Sequence, residues 1–204
     1  MGRLLLVFVC SLAMGADGWV SLFDGKTLGQ WKATDFARTP GPRVEGGAIV
    51  LTAGQPLTGV TWTGPALPAA GYELRFEAVR RLGGDFFASV TFPVGSGRFG
   101  TWVLGGWGGD IVGISSIDGW DASDNETRSY FNFEKDKWYR FRLRMTADDR
   151  IMAWIDEERV VNVDIRGREV SLRPGDIKLS APLGFASYNT TGAVRGVEYQ
   201  ALPK

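Results

Sequence analysis

The chain contains no histidine and one cysteine, and it carries no excess of either charge: 23 basic residues balance 23 acidic ones over 204 positions. Each absence removes a class of function. Without histidine there is no Ser-His-Asp triad, no imidazole base and no zinc site built on a histidine ligand. The Ser-x-x-Lys arrangement of another nucleophile class is missing as well. Balanced charge gives no overall attraction to nucleic acid or to an anionic lipid surface. No apolar run is long enough to span a membrane. No apolar pattern of period 3.6 persists beyond about two turns, so helix contributes little.

What is present begins with a leader. Arg3 supplies a basic start, and Leu4 to Met14 is an apolar run too short for a span. Ala13 and Gly15 offer the small residues that a signal peptidase reads. Residues 1–15 are therefore expected to be a signal peptide cut after Gly15, with a cut after Ala16 as the other option. Cys10 would leave with it. The mature chain is expected to be exported, periplasmic or extracellular, and to hold together without disulfides, which its size allows.

Glycine is abundant, 28 of 204 residues, roughly twice the usual share. Period-two alternation runs through the rest. Tyr72 to Ala78 alternates apolar and charged residues, and Tyr139, Phe141, Leu143 and Met145 share one face of the run 138–145. Further strands are expected at 19–23, 45–52, 58–62, 85–93, 99–105, 110–115, 150–156, 159–164, 183–188 and 194–201. Turn signals separate them. The stretch 39–42 reads as an ordered loop. The pattern predicts one all-β domain over 19–203, a two-sheet antiparallel jelly-roll sandwich.

Two nucleotide-like motifs fail on context. Gly95-Ser96-Gly97-Arg98-Phe99-Gly100 has the dinucleotide-binding spacing, but a strand follows it where a helix is needed, so it reads as a hairpin loop. Gly25-Lys26-Thr27 resembles the end of a phosphate loop, but Val20 stands where the first glycine belongs.

The segment 101–127 holds the most chemistry. Trp102, Trp107 and Trp120 lie among glycines and the acids Asp110, Asp118, Asp121, Asp124 and Glu126. A pyranose stacks its C–H face on an indole and takes hydrogen bonds from carboxylates, amides and arginine. The tryptophans are equally well read as core. Asp118, Asp121 and Asp124 could ligate Ca²⁺ or a similar divalent cation, or form a solvated acidic loop. Arg142 sits on a strand with Arg140 and Arg144, facing an anionic ligand or cross-strand glutamates. Asn125 and Asn189 each open a glycosylation sequon.

One resemblance organises these features. Val20-Ser21-Leu22-Phe23-Asp24-Gly25-Lys26-Thr27-Leu28 with Trp31-Lys32 is similar to the opening of the 3-keto-disaccharide hydrolase domain family. Trp138-Tyr139-Arg140, the run 150–155, Leu183-Gly184-Phe185 and the run 194–203 resemble its later strands. The resemblance implies a concanavalin A-like sandwich, bacterial origin, export, and cleavage of glycosides oxidised at C3. It also implies a carboxylate base at Asp85 or Asp110 and a site near Trp102, Trp107 and Asn189, with a divalent cation as a candidate aid. Three stretches depart from the family pattern: 84–87, 101–106 and 189–192. Polar site groups are expected there. A non-catalytic carbohydrate-binding module on the same sandwich, and a domain that packs tryptophans against another protein, are the alternatives.

Overall fold

The computed structural model describes residues 18–203, so the expected leader and Cys10 lie outside the described residues. The first strands are β1 (Val20–Ser21), β2 (Trp31–Ala33), β3 (Pro42–Glu45), β4 (Ala48–Leu51) and β5 (Leu57–Trp62). The middle holds β6 (Tyr72–Leu82), β7 (Ser89–Pro93), β8 (Phe99–Gly106), β9 (Ile111–Ser115) and β10 (Ser129–Tyr130). Then come β11 (Trp138–Met145), β12 (Arg150–Ile155), β13 (Glu158–Asp164), a short 3-10 turn at Asp176–Ser180, β14 (Gly184–Tyr188) and β15 (Thr191–Ala201). Among the described residues no helix is long and apolar enough to cross a membrane.

The strands form two antiparallel sheets. The eight-stranded sheet runs β13-β12-β11-β6-β15-β4-β3, with β1 beside the second half of β15. The seven-stranded sheet runs β10-β9-β8-β7-β14-β5-β2. The sandwich expected from the alternation is present. On β11, Tyr139, Phe141, Leu143 and Met145 are buried between the sheets, while Arg140, Arg142 and Arg144 point away. Register sets Phe141 opposite Phe76 of β6, and the two rings stack with centroids 5.1 Å apart. Phe185 from the facing sheet meets Phe76 edge-on at 4.9 Å. Fully burying one such ring contributes on the order of 2–3 kcal/mol.

The departures from expectation have local causes. The single strand expected at 45–52 is instead the turn and second strand of a hairpin over 42–51, because Gly46 and Gly47 take φ of 58° and 77° and reverse the chain. Pro42 opens the edge strand β3, where a missing N–H costs no ladder bond. The run 85–93 starts pairing only at Ser89. Before that, the Phe86 amide donates to the Asp85 side chain at 2.7 Å instead of to a strand. The loop 94–98 joins β7 to β8 as a hairpin, as its sequence suggested. The very short β2 and β10 carry too few residues for a readable period.

Candidate functional site

The outer face of the seven-stranded sheet has a floor of short side chains. Ser89 on β7, Thr101 and Val103 on β8 and Ser115 on β9 alternate with core residues and turn away from the sandwich interior. Leu57 and Tyr188, paired across β5 and β14, continue that face. Above it lies a cavity of about 490 Å³. That falls within the roughly 300–1,000 Å³ usual for ligand sites. Asp85, Phe86, Trp107 and the segment Arg173–Ile177 wall it. The Phe86 and Tyr188 rings pack with centroids 5.6 Å apart.

Asp85 is half-buried on this wall. Burial raises its carboxyl above the ordinary aspartate value, and the main-chain amides of Phe86, Gly108 and Trp107 partly offset that rise. Its own amide is held by the Thr190 hydroxyl at 3.0 Å. Those contacts fix the tight turn after β8, where Trp107 takes φ of 49° and is followed by Gly108 and Gly109. A Cβ at Gly109 would lie 2.6 Å from the Arg80 guanidinium, which donates to the Gly109 carbonyl at 2.9 Å. The turn thus depends on glycine there, and it leaves the Trp107 ring 38% exposed at the cavity.

A second group of side chains lies beside the Trp107 ring. The Arg173 guanidinium lies 5.7 Å from the Trp107 ring centroid. Its Nε sits 3.2 Å from Asp121 Oδ2. Asp121 Oδ1 accepts from the hydroxyls of Ser115 and Ser116, each at 2.9 Å. Asp85, Trp107, Arg173, Asp121 and Ser115 therefore form one continuous set of contacts around the cavity. Arg173, Asp176, Phe86 and Tyr188 were not anticipated from the sequence. Arg173 and Asp176 belong to a loop distant in sequence, and no local pattern ties them to Asp85.

Other expectations need correction. Trp102 is fully buried, edge-on to Phe141 at 5.7 Å, because its position on β8 has the parity that faces the core. It cannot stack on a sugar. Asp110 is exposed in the β8–β9 turn and outside the cavity wall, and its carbonyl accepts the Phe131 amide. Trp120 is 63% exposed on the loop after β9, also off the wall. Asn189 occupies the β14–β15 turn with φ of 46°, and its neighbour Tyr188 reaches the cavity instead. Arg142 lies on the outer face of the other sheet, its guanidinium 4.0 Å from the Trp154 ring centroid and 3.8 Å from Glu73.

The acidic loop is corrected as a metal site. Among the described residues no three acids or thiols converge to hold an ion. Arg168 bonds Asp118 at 2.8 Å and also pairs with Glu126, and this partner holds both carboxyls below their usual range. Asp121 is committed to Arg173 and two serines, and Asp124 accepts from Ser123 at 2.6 Å. Asn125 is only 8% exposed. Its amide donates to the carbonyls of Ile114 and Trp120, and its oxygen accepts from Thr127, so that sequon is structural. Gly113 lets this loop close on β9, since a Cβ there would meet the Thr127 carbonyl at 3.0 Å.

The sequence over residues 18–199 matches the family described as 3-keto-alpha-glucoside-1,2-lyase-like domain. No curated protein matches the chain. Among solved structures, the metal-free carbohydrate recognition domain of Emp46p is similar at 13% identity and TM-score 0.58, covering 90% of this chain and 94% of that one. A candidate glycosyl hydrolase from Parabacteroides distasonis ATCC 8503 is similar at 13% identity and TM-score 0.55, over 92% and 96% of the two chains. The Crh5 transglycosylase in complex with NAG gives 13% and 0.55, over 92% and 88%. At such identities these likenesses establish the sandwich fold.

Proposed function

The chain belongs to the 3-keto-alpha-glucoside-1,2-lyase-like domain family, and from that premise we propose that it is an exported, carbohydrate-active lyase and hydrolase of 3-keto-glycosides. The observation that carries this reading is Asp85, a half-buried carboxylate on the wall of the cavity with its proton affinity raised by burial. A C3 ketone acidifies the C2 proton. Asp85 removes that proton, and the electron pair moves toward the C3 oxygen as an enolate. The enolate collapses to a C1–C2 double bond. The C1–O bond breaks, the departing oxygen takes the proton that Asp85 had removed and leaves as an alcohol, and water then adds across the double bond, hydroxyl at C1 and proton at C2, to give the free 3-keto sugar. Trp107 offers the exposed indole for the C–H face of the ring. Ser89, Thr101 and Ser115 line the floor with hydroxyls. Export rests on the apolar leader.

The acids of the 118–124 loop do not suit a divalent cation, because arginine and serine partners already occupy them. No step is routed through a metal. The test is direct. The purified chain is incubated with a 3-keto-disaccharide and with its unoxidised parent, and release of the 3-keto hexose is followed by mass. Release from the oxidised sugar alone is expected. A folded protein that releases nothing from a panel of such sugars overturns the reading.

A second reading is favoured by a specific contact. Asp85 accepts from the Phe86 amide at 2.7 Å, and the amides of Gly108 and Trp107 also favour its charged form, which suits a residue that shapes a turn. A non-catalytic carbohydrate-binding module would then bind unmodified glycan saturably and yield no product.

A further inference from the structure

We propose that Arg173 is the electrophilic group of this site, bearing the charge that develops on the C3 oxygen, and that Asp121 positions it. The inference rests on the lyase reading above. Proton removal at C2 puts negative charge on the C3 oxygen, and a fixed positive group facing that oxygen lowers the barrier. Among the residues that line the cavity, Arg173 alone carries a permanent positive charge.

Its geometry suits the task. Asp121 Oδ2 holds Nε at 3.2 Å, and the Trp107 ring lies beside the guanidinium. The Arg173 side chain is 56% exposed and borders the cavity, so its far end is open to a ligand. An arginine gripped at Nε presents a planar fork at its far end, which matches a carbonyl or enolate oxygen. Asp121 is itself fixed, since its other oxygen accepts both the Ser115 and Ser116 hydroxyls at 2.9 Å. Trp107 lies between this cation and the base, because it shares the cavity wall with Asp85 while its ring borders Arg173. A sugar ring resting on Trp107 would therefore be within the reach of both groups.

Steady-state kinetics of the full chain on a 3-keto-disaccharide test this. Arg173→Ala should lower kcat by about 100- to 1,000-fold, the usual effect of removing one oxyanion donor. KM and the melting temperature should change little. Added guanidinium ion should restore part of the lost kcat, a readout that a purely structural arginine would not give. Asp121→Asn, which keeps hydrogen-bond acceptance but loses the charge, should lower kcat by about 10-fold with KM held and no guanidinium rescue. If Arg173→Ala turns over like the wild type, the proposal fails while the lyase reading stands. If the wild type releases no 3-keto hexose, the premise fails and takes the proposal with it.

Discussion

Asp85 and Trp107 both wall the cavity although they are distant in sequence, and mutation separates the roles proposed for them. Asp85→Asn should cut turnover by about 100-fold or more, the usual contribution of a general base, with melting temperature nearly kept. Only the ionised carboxylate accepts a proton. Turnover should therefore rise with pH through a limb lying above the ordinary aspartate value of 3.8, because burial raises Asp85. A pH–rate profile checks this, and a limb at or below that value counts against Asp85. The tryptophans give a paired prediction. Trp102→Ala should destabilise by about 3–5 kcal/mol in a denaturant titration, as removal of a buried indole does. Trp107→Ala should barely move stability and should weaken sugar binding, measured by calorimetry. The sequence left Trp107 open between core and surface, and its place in the turn after β8 leaves it 38% exposed. Trp102 was not legible as core, because Thr101-Trp102-Val103-Leu104 offers no polar alternation to fix which side faces inward.

At the scale of elements, the loop between β9 and β10 is held as a unit by Asn125, Arg168 and Asp121. Asn125→Ala leaves buried carbonyls and a threonine unpaired and should cost about 1–3 kcal/mol. Hydrogen exchange should quicken across residues 116–128 more than elsewhere, and uniform exchange would refute the local role. Ca²⁺ should not raise the melting temperature, because Arg168 and Arg173 already neutralise the acids the ion would need. A Ca²⁺-dependent rise would reinstate a cation site. Composition disclosed the acids of this loop but not their partners, which arrive from residues 168 and 173. Long strands such as β6 and β11 were readable from alternation alone. β2 and β10 were not, and residues 85 and 86 left the strand pattern because the Thr190 and Asp85 side chains captured their amides.

At the scale of the molecule, two sheets of opposite character meet in one aromatic core. The outer face of the eight-stranded sheet is a lattice of charge and indole. Arg75 stacks on Trp19, Arg195 on Trp138 and Arg142 on Trp154, each at about 4 Å. Glu198, Glu77 and Glu73 accept from Arg75, Arg195 and Arg144 across neighbouring strands. The other sheet spends its outer face on small residues, which opens the cavity over them. The chain has no histidine, and the charged residues that border the cavity are Asp85, Asp176 and Arg173. The measurement that tests this account most directly is the initial rate of 3-keto hexose release by wild type and Asp85→Asn, each on the oxidised disaccharide and on its parent. The account predicts release by the wild type from the oxidised sugar only, and loss of that release in Asp85→Asn. Equal rates for the two proteins, or no release by a folded wild type that still binds the parent glycan, would contradict it.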